Sequence, residues 1–333
     1  MSSYNVAIME GDGIGPEVVH AAARVLKATG VPIDFIWVPG GEKAHRECGS
    51  SIPEETVQAI RQARVAFKGP MLGRSSLPGY VNPNREFRKE LGLYAAIKRA
   101  KSFGDRMSPF GKVDIAIVRE IQEDAYCGAE QMIGEGAVAL KFVTRVETER
   151  VADFAVRYAL ERGCPVVATA GKITALKLTD GLFCSVARER FDRSPGVDLE
   201  YYQIDNLAYQ MARDPRRFSI ILVSNVYGDI LADLAAGLAG SIGLGFGGNF
   251  SDDVAMFEPV HGAAPKYTGL GIVNPGGAIL SGAMLLEHLG EADAAKAVFA
   301  AVEKAVIAGE VTKDLGGSCS TEEMTDAVIR FLK

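Results

Sequence analysis

Apolar strand-like runs alternating with helical patterns predict an α/β fold with central sheets flanked by helices. Three observations carry that expectation. Short apolar runs recur at 6–9, 33–38, 65–67, 114–118, 165–168 and 220–223. Between them, 17–28, 54–63 and 151–162 show helical periodicity. The chain has 333 residues and is 48 % hydrophobic, enough to bury one large core or two moderate ones.

In chain order, the run 6–9 leads through Glu10-Gly-Asp-Gly-Ile-Gly15 into helix 17–28. The glycines read as G-x-G-x-G, without the third glycine at the offset a dinucleotide fold needs and without an acidic residue placed for a ribose. A tight strand-to-helix turn is therefore expected. The Gly-, Val- and Glu-rich segment 128–146 reads as short strands forming an arm that pairs with another subunit. After Gly237 the chain reads as a glycine-rich loop through Phe250, then as helices over 277–290 and 291–308.

A net charge of -6 excludes a global basic field for nucleic acid. The N-terminus lacks a basic, apolar leader, and no apolar run is long enough to span a bilayer, so neither secretion nor membrane insertion is expected. Five dispersed cysteines without a C-x-x-C pair indicate a reducing compartment, the cytoplasm.

Asp229 and Asp233 share one helix face by spacing, and Asp205 ends a strand-like run nearby, so hard oxygen ligands for Mg²⁺ or Mn²⁺ are available. The segment Glu258-Pro-Val-His261-Gly262-Ala263-Ala264-Pro-Lys266-Tyr267, followed by Asn274, suits a nucleotide: amides at glycines approach phosphates, and Lys266 and Tyr267 bind an additional one. Arg85 and Arg88 share a helical face and, with Lys98 and Arg119, could bind several carboxylates through forked, charge-assisted hydrogen bonds; Asn82 and Asn84, with Arg85, suit an anionic group on the substrate. Tyr126 and Lys172 follow strand ends, where α/β enzymes place proton-transfer groups. No serine-hydrolase elbow, phosphate loop or H-E-x-x-H motif is present.

Taken together, Gly11 to Glu17, Arg88 with Leu93-Tyr94, Val118-Arg119-Glu120, Leu178 to Phe183, Asp205-Asn206, Asn225 to Asp233 and Glu258 to Asn274 resemble the β-decarboxylating dehydrogenases across nearly the whole chain. The resemblance implies an isopropylmalate-dehydrogenase-like, non-Rossmann fold. A large domain of 1–98 and 250–333 would carry the cofactor loop and substrate arginines; a small domain of 99–249 would carry dimerisation, metal and catalytic residues, with an arm at the dimer interface. It implies a homodimer in which Lys172 and Asp205 serve the neighbouring subunit's site while Tyr126, Asp229 and Asp233 act in their own. It further implies oxidation of a metal-chelated 2-hydroxy acid followed by decarboxylation, with Leu72, Asn225, Glu258, His261, Gly262, Ala263, Ala264, Lys266, Tyr267 and Asn274 at the cofactor.

Arg85 suits an acidic γ-group, as in isocitrate, homoisocitrate or a phosphonate analogue. Lys266-Tyr267, with Lys313 nearby, suits NADP more than NAD. Isopropylmalate- or tartrate/malate-type oxidation and a noncatalytic regulatory subunit are the alternatives. The chain departs from the family pattern at Ile121-Gln122-Glu123-Asp124 (usually Asn-Thr-Glu-Gly), at Gly171 and Ile173-Thr174 flanking Lys172, at Met71-Leu72-Gly73, and at Lys98-Arg99 (usually Arg-Pro).

Overall fold

The computed structural model describes residues 3–104 and 107–333. From the N-terminus come β1 (Tyr4–Met9), α1 (Gly15–Ala28), β2 (Ile33–Trp37), α2 (Gly41–Cys48), α3 (Glu54–Ala63), β3 (Val65–Lys68), α4 (Pro83–Glu90), β4 (Ala95–Lys101) and β5 (Asp114–Glu120). The middle contributes β6 (Glu130–Ile133), β7 (Gly136–Ala139), α5 (Arg145–Glu161), β8 (Val166–Gly171), α6 (Thr179–Asp192), β9 (Asp198–Gln203), α7 (Ile204–Arg213), β10 (Ile220–Val223) and α8 (Asn225–Ala239). The chain ends with β11 (Phe246–Phe250), β12 (Ala255–Pro259), α9 (Gly276–His288), α10 (Ala292–Ala308) and α11 (Thr321–Leu332).

One 10-stranded sheet organises these elements in the order β2-β1-β3-β12-β11-β4-β5-β10-β8-β9. Only the pairs β12/β11, β11/β4 and β4/β5 are antiparallel; the remainder are parallel, and the inner strands β3 and β10 are buried throughout, whereas the edge strands β2 and β9 are largely exposed. The α/β expectation is met. The sheet is continuous through residues 98–99 and 249–250, which lie inside β4 and at the end of β11.

The structure differs from expectation over 237–250 and at Asp205. The glycine-rich stretch before Phe250 is strand β11, not loop, and it sits mid-sheet. A side chain on Gly247 would collide with the Ile97 carbonyl, so the glycine serves close strand approach. The charged run around Lys98 is buried strand β4, because its cations find partners inside the protein. Asp205 does not end a strand but opens α7, after β9.

The expected arm is a hairpin of β6 and β7, with Met132 and Ile133 exposed on its surface. Among the described residues no helix is long and apolar enough to cross a membrane.

Candidate active site

At the β1–α1 turn, Gly11 and Gly13 adopt φ of +75° and +60°, and a side chain on Gly13 would collide with the Ala263 carbonyl. The Ile14 amide donates to that same carbonyl at 2.9 Å. The glycine-rich turn thus docks the 261–264 loop instead of cradling a pyrophosphate, as its spacing anticipates.

Helix α8 carries Asp229 and Asp233 one turn apart. Its Leu231, Ala235, Ala236 and Ala239 are buried, which turns the two acids and Ala232 toward a cavity of about 170 Å³. Arg88, Lys98, Arg119, Glu258, His261 and Gly262 share its walls. A larger opening of about 640 Å³ adjoins it through Asn84, Arg88, Arg119 and Asp229, and adds Asn82, Arg85 and Tyr126. The substrate-binding, Tyr126 and α8 positions singled out by sequence therefore line one continuous cleft.

Arg119, at the end of β5, lies across α8 over Gly228, where a Cβ would strike it. Its Nε and Nη2 donate to Asn225 Oδ1 at 3.0 and 2.6 Å, and Nη1 pairs with Asp229. Asn225 is 1 % exposed and gives its Nδ2 to the Glu123 carbonyl at 2.9 Å. Both ends of its amide are thus engaged within the protein, the oxygen by Arg119 and the nitrogen by the Glu123 carbonyl. The Tyr126 hydroxyl donates to Asp229 Oδ2 at 3.2 Å; burial, then the Asp229 charge, raises the phenol above its usual range. The Asp233 carboxyl is raised by burial and by Asp229 beside it. Asp233 has no ion pair or hydrogen bond among the described residues, and its carboxylate beside Asp229, which keeps Arg119 and Tyr126 as partners, suits a divalent cation.

Among the described residues no three His, Cys, Asp or Glu side chains cluster to hold a metal within one chain. Asp205 does not join Asp229 and Asp233. It pairs with Lys172 at 2.7 Å, and that ion pair holds the exposed Asp205 carboxyl below its usual range. The Lys172 amide donates to Asp180 at 2.5 Å, and the same buried carboxylate receives the Tyr227 hydroxyl of α8 at 2.9 Å and the Lys141 ammonium at 2.5 Å.

Arg88 protrudes from α4 into the cleft with no hydrogen bond or ion pair to its guanidinium among the described residues; burial and the neighbouring Arg119 lower it to about 10. Arg85 is exposed on the same helix, packed against Gly128 and likewise without a carboxylate partner among the described residues. Lys98 behaves differently. Its ammonium lies 2.8 Å from Glu258, which also pairs with Lys68 and receives Asn249 Nδ2 at 2.8 Å. Burial alone would raise Glu258, but the two ammoniums hold it well below the ordinary carboxylate range. Lys98 and Lys68 thus share one counter-charge, Glu258, inside the protein. Lys68, which sequence reasoning missed, also donates to Asn84 Oδ1 at 2.9 Å; a lone lysine ending the apolar run at 65–67 was its only signal.

Toward the other end of the cleft, His261 Nδ1 faces the Gly262 carbonyl at 3.2 Å and its buried Nε2 has no partner, an orphaned polar atom that fits a nucleotide donor or acceptor. Lys266 lies over the Tyr267 ring at 4.8 Å, Tyr267 is partly exposed, and Ala264 takes a φ of +40° to make the turn. Asn274 is buried, bonding Asp314 and the Gly276 amide at 2.9 and 2.8 Å, and so shapes the loop. Leu72 contributes backbone: its amide donates to buried Asp12 at 2.8 Å and its carbonyl accepts the Tyr80 hydroxyl at 2.8 Å.

The departures from the family pattern are accommodated locally. Asp124 stands at the usual glycine position with a φ of +70°, and its carboxylate accepts from the Ala125 amide at 2.7 Å and the Val226 amide at 3.1 Å. Gln122 donates to the Arg88 and Leu93 carbonyls at 2.8 and 2.7 Å, bracing the chain that carries Arg88. Ile121 is buried among Met9, Phe87 and Leu93.

Residues 5–328 match the family model described as isocitrate/isopropylmalate dehydrogenase. The isocitrate/homoisocitrate dehydrogenase of Thermus thermophilus is 41 % identical over 334 residues, covering 99 % of each chain. The 3-isopropylmalate dehydrogenase of Methanothermobacter thermautotrophicus is 36 % identical over 333 residues, all of both chains. The crystal structure of isocitrate dehydrogenase from Methylococcus capsulatus superposes with a TM-score of 0.95 at 37 % identity, covering 99 % of each.

Proposed function

The chain belongs to the isocitrate/isopropylmalate dehydrogenase family of β-decarboxylating dehydrogenases, and from that premise we propose that it oxidises and decarboxylates a 2-hydroxy acid bearing a 3-carboxylate and an acidic γ-group. Isocitrate and homoisocitrate are of this type, as is a phosphonate analogue. The observation that carries the reading is the pair of guanidiniums, Arg85 and Arg88, that open on the cleft beside Arg119 with no ion-paired carboxylate among the described residues. Cations left without counter-charges in a cleft are arranged for an anionic guest, and an alkyl γ-group would leave Arg85 unanswered.

Asp229 and Asp233, with Asp205 from a second copy, would hold Mg²⁺ or Mn²⁺; the bound ion supplies Lewis-acid polarisation of the substrate's hydroxyl oxygen and adjacent carboxylate. Arg88 and Arg119 orient the carboxylates. Lys172 of the neighbouring chain would take the substrate's hydroxyl proton; a bound nicotinamide would supply the hydride acceptor for the oxidation that precedes loss of CO₂. Tyr126 then delivers a proton to the carbon that lost CO₂. Lys266 and Tyr267, with His261 at the inner end of the loop, favour NADP, whose 2′-phosphate needs donors where a ribose diol needs an acceptor. Assembly as a homodimer, with the hairpin arm at the interface, completes the reading.

The test is a panel of initial rates on isocitrate, homoisocitrate, 3-isopropylmalate, tartrate and malate with Mn²⁺ and either NAD or NADP, on the wild type and on Arg85→Val. The wild type should favour a tricarboxylate with NADP, and the variant should lose about 100-fold in kcat/KM for it while gaining on 3-isopropylmalate. Preference of the wild type for the alkyl substrate overturns the assignment.

A further inference from the structure

Strand β8 ends at Gly171, and the peptide unit that joins it to Lys172 is held by side chains at both ends. The Gly171 carbonyl accepts the Tyr201 hydroxyl at 3.3 Å, and the Lys172 amide donates to Asp180 at 2.5 Å. Asp180 stands in the first turn of α6, where the helix N-terminus favours its charge, and it is 2 % exposed. A side chain on Gly171 would come within 3.0 Å of the Asp180 Cβ, so the glycine at this departure from the family pattern lets the main chain lie directly against the aspartate.

The proposed chemistry gives this buried carboxylate no task, and it lines neither opening of the cleft. Its remaining contacts hold it still: the Tyr227 hydroxyl of α8 donates to it at 2.9 Å, and the Lys141 ammonium lies 2.5 Å away. Lys141 in turn lies over the Tyr227 ring at 4.5 Å and 3.6 Å from Asp124. Asp180 is thus fixed by α8 and by the strand returning from the hairpin arm. The Lys172 ammonium, by contrast, meets only Asp205 among the described residues. A long side chain with one partner takes its aim from the main chain it leaves, and that main chain is tied to Asp180.

We propose that Asp180 is a positioning residue: by holding the main chain of Lys172 it aims that lysine at the neighbouring subunit's site, without touching the substrate itself. The role rests on the functional reading above for the task of Lys172, whereas the anchoring of the Lys172 amide is read without turnover.

Asp180→Ala removes the acceptor. Asp180→Ala with Lys141→Met removes the buried ion pair as a whole and replaces the single variant if that one does not fold, while Lys141→Met alone loses the ion pair and keeps the Lys172 bond. In hydrogen exchange on the full-length protein, the Lys172 amide should exchange at least about tenfold faster without Asp180 and near the wild-type rate in Lys141→Met. With the substrate the panel identifies, kcat should fall about 10- to 100-fold without Asp180 while KM stays within about threefold, and Lys141→Met should keep kcat within about threefold. On mixing and refolding, the chain lacking Asp180 should recover about a quarter of wild-type activity with Tyr126→Phe and none with Lys172→Met, because it fails in the same site as the lysine. Unchanged exchange at Lys172 overturns the anchoring. Faster exchange with unchanged kcat, equal rate losses in Asp180→Ala and Lys141→Met, a loss carried by KM, or recovery with Lys172→Met overturns the positioning role. A wild type inactive on the whole panel, or Tyr126→Phe and Lys172→Met proteins that do not complement each other, is a failure of the functional reading instead, and the exchange result still decides the anchoring.

Discussion

The Tyr126 hydroxyl and Asp229 Oδ2 lie 3.2 Å apart, joining the proposed proton donor to a proposed metal ligand on α8. Asp229 is held on its other oxygen by Arg119, so the phenol is oriented by a carboxylate that is itself fixed. Tyr126→Phe removes the proton without removing the ring that lies near Arg119. We expect kcat to fall 10²- to 10⁴-fold with KM nearly unchanged, measured by steady-state rates. Equal loss in substrate affinity would instead make the hydroxyl a binding group.

Lys172 and Asp205 meet each other and line neither opening of the cleft occupied by Tyr126, Asp229 and Asp233. If sites are shared between chains, Tyr126→Phe and Lys172→Met proteins, each inactive, should complement on mixing and refolding. Random pairing makes half the dimers mixed, each with one intact site, so about a quarter of wild-type activity should return. No recovery in a mixture shown to contain the heterodimer would place both residues in one chain's site.

Asp124 holds a glycine-like φ because two backbone amides reward its carboxylate. Asp124→Gly loses those bonds but relaxes the backbone, and should stay within about 1 kcal/mol of the wild type. Asp124→Ala loses the bonds and keeps the strain, and should be destabilised by roughly 2–4 kcal/mol. Urea denaturation of the two variants measures the difference.

Glu120 is buried, and burial pushes its carboxyl up to about 8 against the pull of the Gln122 and Glu123 amides. Between its unfolded value of 4.5 and 8 the folded chain therefore holds a proton here that the unfolded chain has released. Folding stability should decline as pH rises through that window, by as much as a few kcal/mol, and level off above it. Denaturation from pH 5 to 9 should show this slope in the wild type and a flatter one in Glu120→Gln.

Much of the fold is legible because parallel strands buried on both faces leave apolar runs, and α3 appears over the same residues as its helical periodicity. Helix α8 was legible through its acids alone. Strands β4 and β11 were not: one carries Lys98, Arg99 and Lys101, the other paired glycines, and both patterns ordinarily belong to surface or loop. Their strand character depends on partners far away in sequence, Glu258 for Lys98, Asp114 for Arg99 and the Ile97 carbonyl for Gly247. The same remoteness hid the commitments of Asn225 and Lys98, since a residue type announces its donors but not which neighbour will claim them. Gln122 and Asp124 looked like losses in the motif, yet each makes two hydrogen bonds that steady adjacent chain.

The insertion of β12 and β11 between β3 and β4 also sets an order of events during synthesis. When the ribosome has completed the first hundred residues, β3 and β4 exist but cannot become neighbours, because the two strands that separate them are encoded near residue 250. Until then Lys68 and Lys98 have no Glu258, which lies 190 residues beyond the first of them. The nascent N-terminal half must stay open along that seam, its two ammoniums hydrated, and the late hairpin closes it by bringing both a pair of strands and their shared counter-ion. Such closure makes folding slow and dependent on distant contacts. It also means that a truncated product ending before β12 carries two cations it cannot bury.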